Sequence, residues 1–450
     1  MTFIRIKKGH NINIAGQPAL GIKECISPYS VAIHPNRFRY VKPKLLVKEG
    51  ERVNLGAPLF FDKLMPEVKW PSPGNGTIKE IRYGSRRVIE KVTIILDEES
   101  EELGEKIYSK DTLSNLNKEE VINRLLTGNL FPFILRRPFN KVANPKESPR
   151  DIFVSGYNTS PMLPDLELVL LNQKTEFQAG LDILSCLTDG SVHLTVRNHS
   201  DIFSDLKNIK LNTIEGPHPA GNVGIQIHHI APLKPSDVIW TVEAQHVCLL
   251  GKYFLSGHFD PSIVVSIGGS NITNPIHLRS RLGTSIDTII KDQIKQGDNR
   301  IVSGDILTGK ESSENGHLGF YHSCVSVVPK SEKRKFLGLF QLGGTDSHYS
   351  LTNSFFGKRN KNFYFTTLNN GSERPIVPIG SWEAVLPMDI LPNELYRAIV
   401  ANDLELMEKL GILECDEEDL ALCSFACPSK IDVGGMVRRG LNMIWDEGTK

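Results

Sequence analysis

Residues 45–61 read LLVKEGERVNLGAPLFF, and residues 71–81 read PSPGNGTIKEI. Short alternating apolar segments are broken at Gly50, Gly56, Gly74 and Gly76. Glycine at such intervals allows tight chain reversals, so the pattern predicts an all-β unit of short strands. Outward from this unit the texture changes. The β-rich runs DIFVSGYN (151–158), VHLTVRN (192–198), NIKLNTIEG (208–216), DVIWTV (237–242) and PSIVVSIGG (261–269) alternate with helix-like stretches such as EFQAGLDILSCL. That alternation predicts a mainly parallel sheet with helices on its faces. Residues 275–330 read as a compact α+β module, with a helix over PIHLRSRLGTSIDTIIKDQI and strands around RIVSGDILTGK and GFYHSCVSVVP. KSEKRKF (330–336) reads as a linker. Beyond 374, Leu391, Leu395, Ile399, Leu404, Leu406 and Leu410 recur at helical steps, with Asn393, Asp416 and Asp419 as helix-entry residues.

The chain has 450 residues, which predicts two to four domains. Its 52 basic and 52 acidic residues balance, against the basic excess expected of a nucleic-acid binder. No run approaches the roughly 18 apolar residues of a membrane span, and the N-terminus lacks the apolar core of a signal peptide. Seven scattered cysteines suit reduced thiols in a cytoplasmic setting.

Three motifs bear on chemistry. The first is CDEEDLALCSFACPSK (415–430), which carries three cysteines and a Cys-Pro. The ferredoxin run C-x2-C-x2-C-x3-C-P, laid back from the Cys-Pro, places Cys427 and Cys423 in its last two slots. The upstream slots fall on Leu420 and Glu417, and Cys415 falls on none. Leucine is no ligand and a carboxylate replaces thiolate poorly, so the segment reads as a degenerate cluster remnant with Cys423 and Cys427 as buried small side chains. The second is Gly216-Pro217-His218-Pro219-Ala220-Gly221, a rigid turn beside a sheet end, where α/β folds often bind ligands. The neighbours His228 and His229, read as strand residues, point to opposite faces and so share no ion. The third is the basic segment Arg37, Arg39, Lys42, Lys44 and Lys48, which suits an acidic surface or a protected sheet edge.

Resemblances sharpen this. The glycine-rich β unit resembles biotinyl and lipoyl carrier domains, whose modified lysine stands on a hairpin tip. Seven residues on from Leu59 that position falls on Pro66, beside Met65, with Lys63 out of register. A barrel-sandwich without a covalent arm is expected. EGPHPAGNVGIQIHHIAP (215–232), NNGSERPIVPIGSWEAVLPMDILP (369–392) and CDEEDLALCSFACPSK together resemble the NqrA family, the A subunits of the Na+-translocating NADH:quinone oxidoreductase. GLFQLGGTDSHYSLTNSFF (338–356) and VEAQHVCLLG (242–251) depart from the family's usual wording.

The resemblance implies a multidomain α/β-plus-β chain. Residues 1–105 form a biotinyl-like barrel-sandwich domain, and 106–260 a degenerate Rossmann-like parallel sheet. Residues 261–330 form a β-grasp-like (SLBB) α+β module, and 331–450 a linker and helical domain. Distant relatives are the flavin-binding subunit of respiratory complex I and the C subunit of the Rnf complex. Their G-x-G-G-x-G-F-P flavin loop falls on Phe131 to Pro138, where only the proline survives and Phe133, Ile134 and Arg136 fill the phosphate space. The expected role is therefore that of a peripheral subunit on the cytoplasmic face of the bacterial inner membrane. It docks chiefly on the B subunit, a membrane component of the complex that reduces ubiquinone and exports Na+, and has no independent activity. FAD, FMN, Fe-S clusters and NADH are expected on other subunits. Phe131, Arg136, Phe139 and His218 are the candidates for contact with quinone. The competing readings are a redox-active electron carrier holding a flavin or Fe-S cluster, and a covalent carrier module.

Overall fold

The run at 151–158 becomes the strand Asp151–Ser155, in which Ile152, Phe153 and Val154 are all buried. Burial on both faces marks a central parallel strand covered on two sides. In the computed structural model, which describes residues 2–25, 27–97, 107–113, 115–331, 349, 351, 362–369 and 371–448, this strand lies mid-sheet. The sheet order is Thr2–Arg5, Lys210–Glu215, Val192–Arg197, Asp151–Ser155, Ile239–Thr241, Leu135–Arg137, Lys141–Val142. The first five pair in parallel and the last two join antiparallel. Helices Lys174–Ser185 and Ala244–Ser256 cross at close range. A Cβ on Gly180 would stand 2.1 Å from the Val247 carbonyl oxygen, and one on Gly251 would stand 1.9 Å from that of Glu176.

A second sheet runs Lys310–Ser312, Asn299–Ser303, Cys324–Pro329, Ser262–Gly268, Ile276–Arg281, Ala19–Glu24. It corrects two expectations. PSIVVSIGG belongs here rather than to the parallel sheet. The helix expected over 275–294 is instead the strand Ile276–Arg281 and the short helix Ile286–Ile289, with turns around them. Antiparallel pairing with Ser262–Gly268 overrides the helical spacing of its isoleucines and leucines. The first 24 residues pair with the larger sheets. Their strands Thr2–Arg5 and Ala19–Glu24 complete the edges of the two larger sheets.

The glycine-punctuated unit forms two small sheets: Ser30–Ile33, Ile89–Leu96, Gly76–Tyr83, Arg52–Val53, and Pro43–Leu45, Pro58–Asp62, Met65–Pro71. Between them Trp70 stacks on Phe60 at 4.7 Å, with Phe38 5.0 Å from Trp70. The hairpin tip is Lys63–Leu64, not Pro66. Asp62 closes the strand early by accepting from the amides of Lys42 and Leu64, both at 3.0 Å. The tip therefore carries a lysine, Lys63.

Helices Pro392–Ala401, Leu404–Lys409, Glu417–Ala426 and Val433–Gly448 share a core containing Leu395, Ile399, Met407, Leu422 and Leu441. Pro392 opens its helix, its missing N–H costing nothing there, so Asn393 lies inside rather than at the entry. Asp416 caps the Glu417 helix, and the Asp419 carboxylate returns to accept from the Asp416 amide at 3.1 Å. Most of KSEKRKF and of 338–356 lies outside the described residues. Among the described residues no helix is long and apolar enough to cross a membrane.

Candidate functional site

From Asp151–Ser155 the chain moves to Val192–Arg197 and then Lys210–Glu215 on one side. It returns to place Ile239–Thr241 on the other. A crevice opens beyond the carboxyl ends of parallel strands where the winding reverses in this way. A cavity of about 840 Å3 occupies that place, with Ser155 and Thr241 in its lining. Every part of the chain described above contributes to its walls.

One wall is aromatic. Phe133 stacks on Phe320 with centroids 4.8 Å apart, and Phe38 stands 5.2 Å from Phe320 and 5.7 Å from Tyr321. The Tyr321 hydroxyl donates to the Pro132 carbonyl at 2.7 Å. Beside it the strand Ile239–Thr241 leads into the helix Ala244–Ser256, which presents Glu243 and His246 to the same space. The Glu243 side chain is 46% open into the cavity, and its Oε2 stands 3.9 Å from His246 Nδ1. Burial, with the charge of Glu418 adding, pushes the Glu243 carboxyl up to about 8. Burial lowers the His246 imidazole to about 3, and its Nδ1 has no hydrogen-bond partner. At neutral pH this is an uncharged acid beside an uncharged imidazole.

The opposite wall is an ion-pair network. Arg137, 2% exposed, meets Glu418 at 2.7 Å and both Asp416 and Asp419 at 3.6 Å. Arg39, from the glycine-rich unit, pairs with Asp416 at 3.6 Å and also with Glu417. Arg438, from the last helix, pairs with Glu417 at 2.8 Å and also with Asp416. Burial alone would raise Asp416, but the three guanidiniums outweigh it and hold the carboxyl at about 2. Asp419 moves the other way, raised by burial and by Glu418 and Asp416. Three cations thus face fewer than four full negative charges. The capping residues of one helix bind three separate parts of the fold.

A third region of the lining carries Arg37 and Lys310 with His34, His322 and Asp305. Burial lowers His34 to about 2 and His322 to about 4, and Arg37 depresses both further. The segment read as a basic surface is therefore divided: Arg37 and Arg39 face inward to the cavity, while Lys44 lies over the Phe61 ring at 5.6 Å.

The four sequence-predicted quinone contacts do not converge here. Phe131 is fully buried and meets Trp240 edge-on at 5.8 Å. Arg136 turns away to pair with Glu147 at 2.9 Å. Phe139 packs on Tyr40 and Trp445, and its carbonyl accepts from Arg438 at 3.0 Å. His218 is 2% exposed, its Nδ1 3.1 Å from Thr159 Oγ1, and burial lowers it to about 4. Their sequence neighbours Phe133 and Arg137 line the cavity instead: Phe133 ends the short turn Phe131–Phe133, and Arg137 lies on the opposite face of the strand Leu135–Arg137 from Arg136. His228 and His229 lie on the helix Val223–Ile230, not a strand. His228 bridges Glu414 at 2.9 Å and the Asp389 amide at 3.0 Å, while His229 meets the Pro387 carbonyl at 2.8 Å. Sequence reasoning missed Glu243 and His246. The signal for them was position, a Glu and a His just past an apolar strand in a parallel sheet.

The cysteine segment does not fit a cluster. It is helical through Cys423, whose thiol donates to the Trp382 carbonyl at 3.8 Å, and Cys415 donates to Gly411 at 3.7 Å. Burial raises both thiols, and a cluster needs thiolates on a loop that wraps it. Among the described residues no group of three or more His, Cys, Asp or Glu is disposed to hold a metal ion.

Three family models match the chain: the NqrA N-terminal barrel-sandwich hybrid domain over 4–97, the NqrA second alpha/beta domain over 116–259, and the NQRA C-terminal domain, an SLBB model, over 264–314. The A subunit of the Na(+)-translocating NADH-quinone reductase of Yersinia pseudotuberculosis is 37% identical over 454 residues, covering 99% of this chain and 100% of the relative. The proteins of that name from Tolumonas auensis and Pasteurella multocida are each 37% identical over 448 residues, with the same coverage.

Proposed function

Because the chain belongs to the NqrA family, the A subunits of the Na+-translocating NADH-quinone reductase, we propose that it serves that complex as a docking and quinone-binding component without a redox cofactor of its own. It sits on the cytoplasmic face of the inner membrane against the membrane subunits, chiefly the B subunit. NADH oxidation, flavin and Fe-S chemistry and the Na+ path belong to its partners. The α/β domain is a Rossmann-like sheet whose flavin loop has been replaced by bulky side chains.

The observation that carries the quinone reading is the cavity at the strand reversal. Where a flavin-binding relative needs bare glycine backbone, Phe133, Leu135 and Arg137 occupy the lining. The aromatic wall of Phe38, Phe133, Phe320 and Tyr321 suits a neutral aromatic head, and the bulky side chains leave no bare backbone for a pyrophosphate. Phe131 and Phe139 then act from behind, Phe131 backing the sheet at Trp240 and Phe139 holding the last helix in place. Arg136 and His218 fix the flanking turns through Glu147 and Thr159.

Three measurements test this. The purified chain should oxidise no NADH, and membranes lacking it should lose Na+-coupled quinone reduction until it is added back. Full activity without the chain would sink the proposal. A short-chain ubiquinone should bind the isolated chain, and Phe133→Trp, which fills the cavity, should weaken it at least about tenfold.

A further inference from the structure

The cavity holds two polar groups that the fold leaves without partners. His246 is 3% exposed and its Nδ1 makes no hydrogen bond, although it belongs to a rigid 13-residue helix. The Glu243 carboxyl lines the same space and makes no side-chain hydrogen bond among the described residues, its Oε2 standing 3.9 Å from that imidazole nitrogen. A buried polar atom without a partner is costly, and such atoms are rare in folded chains. His246 Nδ1 is such an atom, and with the Glu243 carboxyl open to the cavity beside it, a ligand that engages both explains the arrangement. Their surroundings define its shape. His246 lies 4.8 Å from the Phe133 ring and 6.1 Å from Tyr321, so the pair sits at the edge of the aromatic wall. A flat ring lying along that wall would present its edge oxygen to the pair.

We propose that Glu243 and His246 are the polar anchor for one carbonyl oxygen of the quinone ring, with Phe133 and Tyr321 flanking the ring. The assignment rests on the quinone reading of the cavity and adds to it the atoms that hold the head group. An oxidised quinone offers only acceptors, so the anchor must donate. The protonated Glu243 carboxyl does so through its O–H, and the neutral imidazole does so in its Nδ1–H tautomer.

Protonation makes the anchor a sensor of pH. The groups that face Glu243 are His246 on its own helix, Glu418 at the start of the helix Glu417–Ala426, and Tyr321 from the second sheet. Glu418 and burial favour the neutral acid, while the helix N-terminus favours the anion. Burial keeps His246 neutral and raises Tyr321, so neither titrates in the same range. Near neutrality Glu243 is a donor. Above about 8 it becomes a carboxylate facing a carbonyl oxygen, and affinity for the oxidised ring falls.

The test is binding of ubiquinone carrying a single isoprene unit to the full chain, followed by calorimetry from pH 6 to 9.5. Wild type should bind evenly at low pH and lose about tenfold in affinity per pH unit above the titration of Glu243. Glu243→Gln keeps a donor that does not titrate. It should bind within about threefold of wild type at neutral pH and show no loss at high pH. His246→Phe, close in volume and without the nitrogen, should weaken binding about tenfold, and each variant's thermal midpoint reports whether it folds. Wild-type binding that ignores pH, or a Glu243→Gln profile that still falls, would overturn the anchor while leaving quinone in the cavity. Absence of binding by wild type would overturn the quinone reading and the anchor together.

Discussion

Arg137→Met removes the guanidinium at the centre of the cavity's charged wall and keeps most of its apolar stem. Arg137 is 2% exposed and lies within 3.6 Å of three carboxylates, with Asp416 itself 1% exposed. At an effective dielectric of about 20, a full charge at these distances gives roughly 4–6 kcal/mol of gross attraction, and Asp419, raised by burial, gives less. Desolvation of the ions offsets most of that, so the measurable quantity is the cost of stranding the carboxylates. Breaking a buried pair from one side costs about 3–5 kcal/mol. Arg39 and Arg438 still hold Asp416, which places the expectation at the lower end, about 3 kcal/mol. The assay is urea unfolding followed by circular dichroism, with a double-variant cycle against Asp416→Asn. Neutralising Asp416 in the Arg137→Met background should recover at least about 1 kcal/mol relative to the sum of the single changes. Because the network joins Arg39, Arg137 and the Asp416 cap, the loss should appear as earlier release of the C-terminal helices. A loss below about 1 kcal/mol, or a cycle that is strictly additive, would refute the account of this wall as an electrostatic clamp.

Acid should act through the same wall. The Asp416 carboxyl is held at about 2 against an ordinary 3.8, so its contribution is complete above the higher value and is lost as pH falls through the lower. Asp416→Asn should flatten that part of the acid-unfolding curve, and an unchanged slope would assign it to other carboxylates. Gly251→Ala should destabilise by at least ~2 kcal/mol despite alanine's higher helix propensity, because its Cβ would stand 1.9 Å from the Glu176 carbonyl oxygen. A stabilised variant in thermal melts would show that the two helices separate freely. Iodoacetamide at pH 8 should leave Cys415, Cys423 and Cys427 unmodified in the folded chain and alkylate them in urea, since all three are buried. Rapid native labelling of Cys423, read by peptide mass, would contradict its place in the core.

Where local chemistry decides structure, the sequence was legible. The β-rich runs at 151–158 and 192–198 became central strands, their stretches Ile152–Val154 and Val192–Val196 buried without a break because both faces are covered. Asp416 and Asp419 marked a helix start because capping is a contact between residues three apart. The cysteine spacing showed that a cluster motif was incomplete, since ligand register is a property of the chain itself. Long-range pairing decided the rest. Nothing local tells the strand Thr2–Arg5 to join Lys210–Glu215, or tells Ile276–Arg281 to extend beside Ser262–Gly268 rather than coil. The hairpin tip moved to Lys63 because the Asp62 carboxylate binds Lys42, twenty residues back in the chain.

The candidate site lay furthest from the sequence's reach. Phe131 and Phe133, or Arg136 and Arg137, are nearly indistinguishable as letters. Only the packed sheet determines that Phe133 and Arg137 face the cavity while Phe131 enters the core and Arg136 pairs with Glu147. Glu243 and His246 carry no motif at all. They become an unpartnered acid and imidazole because burial is a property of the assembled fold, and burial shifts both toward their neutral forms. Family membership was written along the whole chain, whereas the chemistry of its cavity arises only where separate parts of that chain close on one another.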